Sequence, residues 1–71
     1  MNTTDSYIMG ITEGRQMLNA LGGRIPKDDL ISLRDNAEKL MQGASKTMRA
    51  MYEGERDFWQ SQIGNKKRIE L

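Results

Sequence analysis

Apolar or small residues fall at Leu30, Leu33, Ala37, Leu40, Ala44, Thr47, Met51, Gly54 and Phe58, in steps of three and four without a skip. Such steps lay all of them along one stripe of an α-helix, whereas a strand would need alternation at every second residue. Good helix formers dominate the stretch, and Asp35 with Lys39 makes a favourably oriented i, i+4 pair. The register therefore predicts one long helix from about residue 27 to about residue 62. Gly43 and Gly54 weigh against continuity, each by about 1 kcal/mol relative to Ala. The run Gln42-Gly43-Ala44-Ser45 offers an alternative: a helix stop followed by a Ser45 cap, which would make a monomeric three-helix bundle. The seam does not jump at Gly43, and this favours the long helix.

A shorter helix precedes it. Thr4, Asp5 and Ser6 are N-cap candidates, and Asp5 suits the positive helix start. Tyr7, Ile11, Gly14, Leu18 and Leu21 form its seam, widened by Ile8 and Met17. Gly22-Gly23 ends it, because Gly enters the left-handed region without a Cβ penalty. Pro26 suits the start of the next helix, Asp28 and Asp29 fit its first turn, and Ile25 with Leu30 has hydrophobic-staple spacing. The expected architecture is a single all-α domain over residues 1–71, a coiled-coil-like helical hairpin with one short and one long helix. Its parts are a helix at about 5–21, a connector at 22–26, the long helix at about 27–62 and a basic tail at 63–71. A short connector makes the two helices antiparallel neighbours.

Composition decides how such a hairpin becomes stable. Leu, Ile, Val and Phe number only 13 of 71 residues, so the core is small, yet the net charge of +1 lacks the imbalance of a disordered chain. A chain this short often needs a staple, and the absence of Cys and His removes disulfides and the common metal sites. A partner remains. Past Met41 the apolar arc broadens to about 180° at about 100° per residue, with Thr47, Gly54 and Phe58 on one side and Met48, Tyr52, Trp59 and Ile63 on the other. One antiparallel neighbour cannot cover half a helix, and the short helix reaches only to about Ala44 or Ser45. Met48, Met51, Tyr52, Phe58, Trp59 and Ile63 are therefore the expected partner or dimer interface, and a dimeric helical bundle follows. The bland alternative is ordinary core beneath a third helix.

Small residues recur on the seams. Gly10-Ile11-Thr12-Glu13-Gly14 has the small-xxx-small spacing that lets helices approach closely. Glu13, Arg15 and Gln16 exclude a membrane setting for it, and the expectation is that these positions seat facing Leu or Met side chains.

The chemistry-bearing residues do not converge. Glu53 and Asp57 share a helix face, but Arg49 and Arg56 lie close enough to neutralise them. Gly22-Gly23-Arg24 follows no strand and has no phosphate-loop pattern. No catalysis, cofactor or metal is expected. Lys66, Lys67 and Arg68 form the one basic cluster, a modest phosphate contact that would read no sequence. No stretch has the length of a membrane span, and residues 1–5 have no basic region ahead of an apolar core, so no secretory signal is expected. A bacterial or phage-infected cytoplasm suits a Cys-free chain.

The function these features favour is a non-enzymatic protein-interaction module. By analogy of size and architecture it would be an inhibitor, antirepressor or adaptor of phage or mobile-element type, acting as a homodimer on another protein. The alternative is a small DNA- or RNA-binding regulator that presents Lys66, Lys67 and Arg68 to phosphates.

Overall fold

A computed structural model describes the backbone of residues 2–69 and the side chains of residues 2–64. Three helices follow one another: α1 (Thr3–Ala20), α2 (Lys27–Met41) and α3 (Lys46–Ile69). The described residues contain no strand.

α1 begins two residues earlier than the sequence predicts. Its cap is Asn2, not Thr4, Asp5 or Ser6; the Asn2 Oδ1 accepts from the Asp5 backbone N–H at 2.8 Å, which leaves Asp5 in the first turn. Gly22 ends the helix in the left-handed region with φ of 80°, and the Gly23 N–H donates to the Leu18 carbonyl at 2.8 Å. α2 starts after Pro26, and Ile25 and Leu30 on either side of that cap both enter the buried core.

The long helix does not exist. The chain breaks at Gln42-Gly43-Ala44-Ser45, and the three-helix alternative describes the result. Gln42 turns to extended backbone, Gly43 takes φ of 77°, and the Ser45 hydroxyl accepts from the Met48 N–H at 3.3 Å to cap α3. Gly43→Ala is expected to destabilise the protein by about 1–2 kcal/mol, because L-residues resist this left-handed conformation. Urea unfolding followed by circular dichroism measures it; an unchanged midpoint would remove the turn from the account.

α3 is the middle helix. α1 and α2 each pack along it, and no Cα of α1 comes within 8 Å of a Cα of α2. α1 runs parallel to α3, since Tyr7 meets Asp57 while Leu18 lies beside Ser61 and Gln62. α2 runs antiparallel, with Arg34 at Gln60 and Met41 at Arg56. Gly54 and Phe58 face α1, whereas Trp59 and Ile63 lie on the α2 side; at about 100° per residue the two covered faces stand about 150° apart. The broad apolar arc of α3 is thus the signature of a helix covered from two sides. Phe58, Trp59 and Ile63 are buried within the one chain, with Trp59 only 3 % exposed, so the expected lack of cover does not hold for them. The core joins these three to Ile25 and Leu30, with Ile11, Leu18, Ile31 and Leu33 packed against it. Phe58 and Trp59 meet edge to face, centroids 5.1 Å apart.

The α1–α3 contact is made by backbone rather than by the Leu or Met side chains that the sequence predicts. A Cβ at Gly10 would land on the Met51 carbonyl oxygen, and one at Gly54 on the Tyr7 carbonyl oxygen. Gly14 seats the Phe58 ring. Ser6, one step earlier on the same stripe, is also buried, and its hydroxyl donates to the Asn2 carbonyl at 3.3 Å. Tyr7 locks the crossing from the side, its hydroxyl donating to Asp57 Oδ2 at 2.6 Å.

Candidate functional site

Two helices held about 150° apart on a third leave a strip of the third uncovered between them. Here that strip is a groove of about 100 Å³, walled by Met17 of α1 and by Leu33, Asn36, Ala37 and Leu40 of α2, with Glu55 and Trp59 of α3 as its floor. The walls come from the flanks of the outer helices, because their central stripes are spent on α3. Leu33 and Ala37 stay on the wall beside the core, whereas Met17 and Leu40 are each 45 % exposed. Met48, 40 % exposed, lies two turns before Glu55 on the same side of α3 and extends the floor.

Glu55 is the polar centre of the groove. It is half-buried, and burial, followed by the repulsion of Glu13 on α1, raises its carboxyl pKa above the ordinary range. No Lys or Arg lies among the lining residues, and α2 contributes no charged group to them. Folding therefore favours protonated Glu55. Its contribution is most favourable below the unfolded-chain pKa and is lost as pH rises through the raised folded value. Glu55→Gln is expected to raise Tm at pH 7, with the gain shrinking as pH falls through the raised folded value and vanishing once pH is below the unfolded-chain pKa of about 4. Thermal melts across pH check this; a gain that does not vary with pH would exclude ionisation as its cause.

Two other clefts are larger, and Asp57 and Arg56 in them are already paired with each other. One of about 410 Å³ between α1 and α3 is lined by Tyr7, Arg15, Asp57 and Ser61 among others, and holds the Tyr7–Asp57 hydrogen bond. Asp57 Oδ1 also accepts from Arg56 at 3.0 Å, so Asp57 is neutralised by Arg56 within a Tyr–Asp–Arg cluster. The other, about 340 Å³ between α2 and α3, is lined by Glu38, Met41, Gln42, Arg49 and Arg56. Asp35, expected to pair with Lys39, accepts from Arg34 at 3.0 Å. Among the described residues no three His, Cys, Asp or Glu side chains are grouped to hold a metal ion, and no helix is long and apolar enough to cross a membrane.

The residues expected from sequence to form an interface divide three ways. Phe58, Trp59 and Ile63 are core, although Trp59 also floors the groove. Met51 and Tyr52 are half-buried, and Met48 remains exposed. The Lys66, Lys67 and Arg68 side chains lie outside the described residues. Met17, Leu40 and the Glu13–Glu55 pair were missed as site residues. The readable signal was that Met17 and Leu40 are apolar yet sit at the edges of their stripes. Comparison with protein-family models, with curated proteins and with solved structures finds no match to this chain.

Proposed function

We propose that the chain is a non-enzymatic interaction module that binds another protein in the groove between α1 and α2, as a small helical inhibitor, antirepressor or adaptor of the bacterial or phage-infected cytoplasm. One observation carries this reading: the backbones of α1 and α2 stay more than 8 Å apart, Cα to Cα, and large apolar side chains of both, Met17 and Leu40, stay exposed around the gap. Apolar surface grouped around a concavity marks binding sites more often than scattered apolar residues do. A fourth element laid along α3 would contact all three helices at once. The binding sense is thereby reversed from the sequence expectation. The chain offers a groove, and its partner supplies the ridge.

Self-association is not part of this reading, because its premise was an uncovered aromatic face, and Phe58, Trp59 and Ile63 are buried within one chain. The test is affinity capture from the native host with the wild-type chain and with a Met17→Gln/Leu40→Gln variant as baits. Those two side chains are exposed, so the variant should keep its helical circular dichroism. A protein retained by the first bait and lost from the second supports the groove. Equal retention by both removes it. Retention of duplex DNA instead, falling steeply with salt and lost when Lys66, Lys67 and Arg68 become Ala, would replace the proposal with the nucleic-acid alternative.

A further inference from the structure

We infer that the partner element is a cationic amphipathic helix, one that sets a Lys or Arg among its apolar anchors. This rests on the reading of the groove as a binding site and adds the chemistry of its occupant.

The chain has 11 basic and 10 acidic residues, so an even scatter would put cations on every face. The clefts on the other sides of α3 do contain them, Arg15 in one and Arg49 with Arg56 in the other. The groove lining contains none, and its one charged member is Glu55. Glu13 of α1 is exposed and close enough to repel Glu55. By register Asp29 lies on the flank of α2 that carries Leu33, Asn36 and Leu40, in steps of four, three and four. On α1, Met9, Glu13 and Met17 follow one another at steps of four. The unoccupied strip is therefore apolar along its walls and anionic at its middle.

A helix suits a strip that runs along α3. The exposed Met48 and the groove residue Trp59 lie on that strip about 16 Å apart by helical rise, roughly three turns of a partner helix. Met17, Leu33 and Leu40 would take its apolar residues. Glu13 and Glu55 would receive a cation from the same stripe, which relieves their mutual repulsion on binding. A neutral or acidic helix would gain the first and forgo or worsen the second.

The probes are fluorescently labelled two-heptad helical peptides with Leu along one stripe and Lys, Gln or Glu at its centre. Anisotropy reads affinity, and Trp59, the sole tryptophan, reads location through its emission. At low salt the Lys peptide is expected to bind about tenfold tighter than the Glu peptide, with the preference shrinking as salt rises. In a Glu13→Gln/Glu55→Gln variant the peptides should bind alike. Equal affinity of the three peptides for the wild-type chain would overturn the cationic occupant while leaving the groove standing. If no peptide binds, or if Met17→Gln/Leu40→Gln binds the Lys peptide as tightly as the wild type does, the groove itself falls and the inference with it.

Discussion

Gly10→Ala and Gly54→Ala are each expected to destabilise the protein by about 1–3 kcal/mol. The direction is the informative part. Replacing a helical Gly by Ala ordinarily stabilises by about 1 kcal/mol, because Ala has less backbone freedom to lose. Here each added methyl would fall on a carbonyl oxygen of the opposing helix, Met51 for Gly10 and Tyr7 for Gly54. A backbone cannot yield as a side-chain tip can, so the helices must separate. Gly14→Ala should be milder, since its Cβ would sit 2.7 Å from Cδ2 of the Phe58 ring and the ring can tilt. Gly64→Ala is the internal control. Among the described residues nothing lies within 4 Å of its added Cβ, so it should stabilise by up to about 1 kcal/mol. For a domain of this size each kcal/mol moves Tm by roughly 4–8 °C, so thermal melts of the four variants suffice. Stabilisation by Gly10→Ala or Gly54→Ala would mean that α1 and α3 do not cross through glycine.

Trp59→Ala is expected to remove about 3–5 kcal/mol, the range for deleting a large aromatic side chain from a core. That range approaches the lower end of total stabilities for small domains, so the variant should be left near its unfolding midpoint at 25 °C. Trp59 is 3 % exposed and closes the core between α2 and α3 while bracing Phe58 edge to face. Its loss would free both outer helices from their common support. Urea titration followed by far-ultraviolet circular dichroism reads the effect; a variant with a wild-type midpoint would place Trp59 outside the core. The same result bears on function, because a Trp59 that served only an interface would cost the isolated chain little.

Much of the helical framework was legible in the sequence. Gly22-Gly23 marked the end of α1, and Pro26 with Ile25 and Leu30 marked the start of α2. The break at Gly43 was not decided by periodicity, for a geometric reason. A four-residue connection advances the helical phase by only about 40°, so the seam from Leu40 through Ala44 to Thr47 reads the same whether the helix continues or reverses. Only the local chemistry distinguished the two, Gly43 as a left-handed stop and Ser45 as a cap. The wide arc from Thr47 to Ile63 was read correctly as too broad for one neighbour. The second neighbour turned out to be α2, which the assumption of a long helix had fused to α3. The groove was illegible for the same reason: its walls, Met17 and Leu40, become opposed only when α1 and α2 flank α3 from two sides. The glycine crossing lay between these extremes. The Gly10–Gly14 spacing was visible, but its pairing with Gly54 required the parallel course of α1 along α3.

One chain covers its own aromatic helix, Phe58, Trp59 and Ile63 included, and leaves an apolar gap between the two outer helices. Acrylamide quenching of Trp59, in samples that sedimentation shows to be monomeric, tests it most directly. Weak quenching that stays constant as the protein is diluted is the expected result. Quenching that climbs toward the value of the urea-unfolded chain once the monomer is reached would contradict it, because Trp59 would then owe its shelter to another molecule.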